Sequence, residues 1–369
     1  MDKYPGLYVH IPFCKKKCLY CDFTSFSDSE LYIDKYLSAL ENEARQYQGT
    51  KCETLFIGGG TPTVLTEKQL DRLMNIINSV FDMSVCREAS IEANPGTVTD
   101  EKLRVLSRGG INRISIGVQS FCDAELKTLG RIHTSKQAIS AIELSKKYFD
   151  NINIDIMTSL PLQNKERLMS TLETAVKCGV PHLSCYSLII EDGTEFKRLF
   201  ENGKLNVPSE DSDREMFEML CNYLRESGYE RYEISNFAKP GFRCRHNMKY
   251  WTANEYIGIG LSAHSYLCGK RFSNNSSFSG YLSLESCRTD EIILGDDDKK
   301  EEFTMLMLRT SDGIDEKEYE SRFSESFYLK NKEKIDKFIS LGLVRKTKVG
   351  YAFTDRGFDI SNTLICELI

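Results

Sequence analysis

The sequence predicts an α/β protein, a parallel sheet with helices packed outside it, followed by a smaller α+β domain of winged-helix type. Three observations carry this expectation. Strand-like apolar runs alternate with helical stretches six times between residues 7 and 190. That alternation stops after Glu191. From about Asp296 three helical stretches and a hairpin pattern take over. At 369 residues the chain is long enough for one barrel-sized domain and a smaller one. The expected divisions are 1–205 for the sheet and its helices, 206–290 for an extension and connecting region, and 291–369 for the C-terminal domain.

Each element has its own warrant. Residues 7–12 read as a buried strand, and a cysteine-rich loop follows at its carboxyl end, where barrel active sites gather. Leu31, Ile33, Tyr36, Leu37, Leu40, Ala44 and Tyr47 recur at helical spacing from Ser29 onward. Residues 53–57 form the second strand and run into Gly58-Gly59-Gly60-Thr61-Pro62; a helix from Thr66 follows, with Gln69 completing a capping box. Residues 89–94 are strand three, before a helix over 99–108. Residues 113–120 are strand four, and residues 151–159 are strand five, which carries Asp155 inside an apolar run. Residues 182–190 are strand six. A helix over 211–227 and a strand over 229–235 come next, then HNMKYW at 246–251 and YIGIGLSAHSYL at 256–267. The last domain is read as helices over 299–309, 315–323 and 331–341 and a hairpin over 342–353 around Val349-Gly350.

The chemistry concentrates in residues 8–23, YVHIPFCKKKCLYCDF. Cys14, Cys18 and Cys21 stand in a C-x3-C-x2-C spacing, with Lys15, Lys16 and Lys17 between the first two to favour thiolates. Three thiolates this close form a metal ligand set or a redox centre. A disulfide framework suits neither the odd count nor the length of the chain. Zinc held by the three cysteines and His10 is the better rival, unless strand alternation turns His10 away. An iron-sulfur cube held by three cysteines keeps one iron open for further chemistry. The triple glycine is read in two ways: a tight βα turn, or a surface where backbone groups approach a ligand closely. The ten other cysteines, Cys52, Cys86, Cys122, Cys178, Cys185, Cys221, Cys244, Cys268, Cys287 and Cys366, are scattered singly and read mostly as small core hydrophobes.

C-x3-C-x2-C directly after a first strand resembles the cluster loop of the radical S-adenosylmethionine (SAM) superfamily. The resemblance implies a partial (β/α)6 barrel. It also implies a 4Fe-4S cluster on Cys14, Cys18 and Cys21, with SAM chelating the open iron and accepting one electron into its sulfonium. GGGTP resembles the SAM-binding motif in the branch related to coproporphyrinogen oxidation. Carried over position by position, Tyr8, Tyr20, Gly59, Gly60, Thr61, Glu92, Gln119, Arg131 and Asp155 correspond to residues lining the two SAM positions of that branch.

Two functions compete within the branch: a heme chaperone, which carries heme to acceptor proteins, and oxygen-independent coproporphyrinogen III dehydrogenase, which decarboxylates two propionates. The dehydrogenases place a fourth cysteine where this chain has Phe23, and they carry a sizeable segment ahead of the cluster strand. HNMKYW resembles the H-N-x-x-Y-W motif of the HemW-type heme chaperones, a family in which the histidine is implicated in heme binding. That makes His246 the expected heme ligand, covered by Tyr250 and Trp251, with His264 a second candidate. The resemblance therefore implies heme as cargo, an acceptor hemoprotein such as a membrane cytochrome, and a low-potential electron donor. A net charge of -6 argues against a nucleic-acid surface. The hydrophobic and charged fractions, 41% and 28%, and the lack of a membrane-length apolar run point to a cytoplasmic protein.

Overall fold

A computed structural model describes residues 4–283 and 288–369. Cys287 lies outside them. Strands β1 (Gly6–Ile11), β2 (Thr54–Gly59), β3 (Glu88–Ala93), β4 (Arg113–Gln119), β5 (Asn151–Thr158) and β6 (His182–Ser187) pair in parallel, each with the next. Their carboxyl ends therefore share one rim. The six βα units are those expected, within a residue or two at most ends.

Alternation along the strands decides what faces where. In β4 the side chains of Ile114, Ile116 and Val118 are fully buried toward the helices, while Arg113, Ser115, Gly117 and Gln119 line an interior cavity. In β5 Ile152, Ile154 and Ile156 do the same, with Asn153, Asp155 and Met157 turned inward. A one-residue slip would bury Arg113 and Asp155 among helices and expose three isoleucines. At about 1.5–3 kcal/mol per buried aliphatic side chain, that alone locks the register. The helix Glu67–Val80 starts at the expected capping box, with Thr66 and Gln69 exchanging both hydrogen bonds. The first helix starts later than its pattern suggests, at Ile33, after a 3-10 turn over Glu30–Tyr32.

Six further strands extend this sheet at both edges: β7 (Glu230–Arg231), β8 (Asn236–Ala238), β9 (Tyr256–Ile259), β10 (His264–Leu267), β11 (Lys270–Asn274) and β12 (Arg288–Ile293). The order is β12-β11-β10-β9-β1-β2-β3-β4-β5-β6-β8-β7. β9 runs parallel to β1, so seven strands rather than six are parallel. The expected boundary at 290 falls inside β12. The strand expected over 229–235 shrinks to the two residues of β7, because the chain turns at once. There the Arg231 guanidinium donates to the Glu233 and Ile234 carbonyls, and the Glu233 carboxylate accepts from the Ser235 amide at 3.2 Å. Strand six ends at Ser187, which frees Ile189 to face the cavity.

The C-terminal part has its own core of Phe303, Leu308, Tyr319, Phe327, Phe338 and Phe353. Helices Asp296–Met307, Glu316–Phe323 and Phe327–Ser340 pack with a small sheet of β13 (Ile314–Asp315), β14 (Val344–Lys346) and β15 (Gly350–Phe353), in the order β13-β15-β14. The third helix begins earlier than expected because Ser326 caps it, its Oγ accepting from the Leu329 amide at 3.1 Å. Two short helices after Asp355 escaped the sequence reading. Ion pairs Arg225–Asp355 (2.6 Å), Arg243–Asp312 (2.8 Å) and Arg271–Glu302 (2.5 Å) tie this unit to the barrel. Part-exposed pairs of this kind contribute below about 1 kcal/mol each and act mainly to set orientation.

Candidate functional site

A cavity of about 550 Å³ opens at the carboxyl rim and runs into the barrel. Cys14, Cys18 and Cys21 form one side of its mouth. The cysteine loop is stitched to the end of β2: the Gly60 amide donates to the Ile11 carbonyl at 2.9 Å and the Thr61 amide to the Phe13 carbonyl at 2.8 Å. A Cβ on Gly60 would stand 2.7 Å from the Phe13 oxygen and 3.0 Å from Cys14 Sγ. Gly59 has φ of +109°, and a Cβ there would meet the His10 ring at 2.7 Å. The glycines are thus needed for the turn itself, which lets loop and strand meet.

Around the sulfurs, Thr61 Oγ1 lies 3.5 Å from Cys14 Sγ, and Arg131 Nη1 donates to Cys18 Sγ at 3.6 Å while Nη2 donates to the Gly117 carbonyl. Burial pushes the Cys14 and Cys21 thiols up, and the pull of Lys17 on Cys21 is a lesser effect. The expected lysine activation is therefore outweighed by desolvation, and proton loss accompanies metal capture. His10 is turned away, as strand alternation allows: Tyr8 OH pairs with its Nδ1 at 3.0 Å and its Nε2 with the Thr24 carbonyl at 2.8 Å. Among the described residues no three His, Cys, Asp or Glu side chains close on a point that one metal ion would occupy. With His10 engaged by Tyr8 and Thr24, the mouth offers three thiolates and no fourth ligand from that strand, the donor set of a cube that keeps one iron open.

Of the expected SAM residues, Tyr20, Gly59, Gly60, Thr61, Glu92, Gln119, Arg131 and Asp155 all line the one cavity. Tyr8 does not; it holds His10 and stacks on Phe56 with centroids 6.4 Å apart. The Glu92 carboxyl accepts from the Gly59 amide at 3.1 Å, and burial, followed by the charge of Asp155, pushes it up to about 8. Gln119 sits at φ +70° on a register shift of β4 and accepts from Tyr186 OH at 3.0 Å. That bulge re-aims its amide at the rim. Asp155 accepts from Asn153 Nδ2 at 2.6 Å and from Ser115 Oγ at 3.2 Å, and burial raises it. A triple-glycine edge beside an acid and an amide suits the ribose and amino acid parts of a nucleoside sulfonium.

Deeper in the barrel lie residues that sequence reasoning missed: Arg113, Ser115, Asn153, Ser184, Asn236 and Asn247. The signal was present in RISIGVQ and NINIDI, where every second residue is polar or glycine. A half-polar strand interior marks a lined cavity rather than a packed core.

His246 is placed differently from the expectation. It opens the helix Arg245–Trp251, which closes the amino-terminal end of the barrel, with the Glu88 carboxylate accepting from the Arg245 and His246 amides at 3.0 Å each. Its ring is fully buried, stacks on Phe56 at 5.4 Å, pairs through Nδ1 with Thr54 Oγ1 at 2.8 Å and through Nε2 with Tyr250 OH at 2.8 Å. Burial pushes it down to about 3, so it is neutral. As folded, neither nitrogen is open to a metal; Asn247, not His246, faces the cavity. Trp251 is partly buried. His264 is exposed at the start of β10, outside the cavity lining. At the mouth, Phe23 and Ile189 are 64% and 67% exposed, beside Lys16 and Lys17.

Residues 8–175 match the Radical SAM superfamily and residues 294–360 the HemN C-terminal domain. The chain is 39% identical over 367 residues to heme chaperone HemW of Lactococcus lactis subsp. lactis (strain IL1403), covering 99% of this chain and 97% of that protein. It is 38% identical over 332 residues to heme chaperone HemW of Bacillus subtilis (strain 168), covering 86% and 87%. Among solved structures, coproporphyrinogen III oxidase (HemN) from Escherichia coli, a radical SAM enzyme, superposes with a TM-score of 0.86 at 23% identity, covering 99% of this chain and 90% of that one. At that identity the likeness shows the fold alone.

Proposed function

Because this chain belongs to the HemW family of the radical SAM superfamily, we propose that it is a heme carrier with a 4Fe-4S cluster on Cys14, Cys18 and Cys21 and SAM in the cavity beside it. The observation that carries the reading is the mouth: Phe23 stands exposed where the decarboxylating branch has its fourth cysteine, next to exposed Ile189, Lys16 and Lys17. An apolar porphyrin face and its two propionates match two hydrophobic side chains flanked by cations. His246, with both nitrogens engaged, serves in this reading as the pin of the barrel floor.

When bound, the cluster supplies an electron to the sulfonium of SAM. The chain's own residues prepare that encounter. Gly59 and Gly60 let the loop and a ligand approach the backbone closely. Arg131 holds its guanidinium against Cys18 Sγ and the Gly117 carbonyl. Glu92, neutral below about pH 8, offers a hydroxyl as well as an acceptor to a ribose. Heme would pass to an acceptor hemoprotein, with a membrane cytochrome the expected class, and the cluster that Cys14, Cys18 and Cys21 would hold calls for a low-potential electron donor as partner. No helix among the described residues is long and apolar enough to cross a membrane.

The test is an anaerobic heme titration of cluster-loaded protein, with the same preparation assayed on coproporphyrinogen III, SAM and a strong reductant. Saturable heme binding without porphyrinogen turnover supports the carrier; turnover makes it a dehydrogenase despite Phe23. Phe23→Ser with Ile189→Ser is expected to weaken heme binding about tenfold or more, and His246→Ala to leave it intact while lowering stability. Loss of heme by a folded His246→Ala protein would return the ligand role to His246. Cys18→Ala retaining full cluster absorption and iron would overturn the cluster assignment.

A further inference from the structure

The inner end of the cavity holds a cation without a partner. Arg113, the first residue of β4, turns into the barrel and is 2% exposed. Its Nε has no hydrogen bond among the described residues, and no carboxylate there forms an ion pair with its guanidinium. The carboxyl groups whose charge reaches it are Glu88, Asp155 and Glu92. All three already accept from other donors, Glu92 from the Gly59 amide at 3.1 Å. Glu88 accepts from the Arg245 and His246 amides at 3.0 Å each and from the Cys244 thiol at 3.4 Å. Asp155 accepts from Asn153 and Ser115. The Asn247 side chain faces the same cavity.

A buried guanidinium is costly to keep unless an anion completes it, and its planar fork suits two oxygens held in one plane. We propose that the inner end of this cavity is a carboxylate-binding subsite, in which Arg113 grips a small carboxylic acid, with Asn247 completing its shell. The subsite lies among the residues at the amino-terminal ends of the strands, away from the cysteine loop, and the proposal does not depend on heme.

The test is a titration of the full-length, cluster-loaded protein with L-lactate, followed by saturation-transfer NMR, with lactamide as the neutral isostere. The expected result is saturable lactate binding that lactamide does not reproduce, weakened about tenfold or more in Arg113→Gln and only partly in Arg113→Lys, which keeps the charge but not the fork. Lactamide binding as tightly as lactate would overturn the proposal. So would undiminished lactate binding by a folded Arg113→Gln protein, or no saturation up to about 100 mM lactate. Should Arg113→Gln not fold, Asn247→Asp sets a negative charge on the cavity wall; it is expected to weaken lactate about tenfold, and unchanged affinity would overturn the subsite.

Discussion

Glu92→Gln removes an ionisable carboxyl from the centre of the cavity and keeps an acceptor for the Gly59 amide. In the native protein burial and Asp155 push this carboxyl from 4.5 up to about 8. Between those values the folded chain holds a proton that the unfolded chain has lost. Its contribution is therefore most favourable below pH 4.5 and is lost as pH rises through about 8. The full difference corresponds to about 5 kcal/mol at ~1.36 kcal/mol per pH unit. The carboxyl faces a cavity that water enters, so about 2–3 kcal/mol is expected to survive screening. Glu43 is also pushed up, to about 7, so pH dependence of the native protein alone would mix the two. The measurement is urea unfolding of cluster-free native protein and Glu92→Gln from about pH 5 to about pH 9, read as the difference between them. The variant should gain on the native protein by that amount across the range. Parallel curves would mean that Glu92 is charged throughout and that burial does not govern it.

Three further outcomes follow from single contacts. Gly60→Ala forces a Cβ to 2.7 Å from the Phe13 carbonyl, at a cost of about 1–3 kcal/mol, and iron per chain after anaerobic reconstitution should fall. Arg131→Lys keeps a cation but cannot hold both Cys18 Sγ and the Gly117 carbonyl; the cluster should still assemble, with SAM affinity in equilibrium dialysis lowered about tenfold. Glu43→Ala strands the Gly260 amide, the Asn274 amide and the Tyr281 hydroxyl, which its carboxyl accepts at 2.9, 2.5 and 2.6 Å. Thermal unfolding should show a loss of about 3 kcal/mol or more, because several buried donors lose their acceptor at once.

Much of the architecture was legible because local rules agree with the global fold. Thr66 and Gln69 announce a helix start through backbone amides only three residues away, and the isoleucines of β4 and β5 show their faces through a period of two. Legibility failed where distant groups decide. The strand expected after Tyr229 is cut short by Arg231 and Glu233, which bond to the backbone of the turn. β9 reads as a glycine-rich run until β1 lies beside it. The rim of the candidate cavity was found largely through the ends of strands, since side chains there share one rim whatever the details of packing. Tyr8 is the exception: its hydroxyl turns to His10 rather than to the cavity.

The sequence by itself determined the cysteine loop, the order of the βα units, the glycines beside the loop and the polar stripe within the strands. Each is a matter of spacing along the chain, and backbone geometry converts spacing into position. Only the tertiary structure decided that His246 is pinned between Thr54 and Tyr250 beneath the barrel, that burial outweighs Lys17 at Cys21, and that Arg113 Nε is buried without a hydrogen-bond partner among the described residues. Those outcomes depend on desolvation and on partners far away in sequence: His246 and Thr54 are separated by 192 positions. No local pattern encodes what a side chain meets, or fails to meet, once the sheet has folded around it.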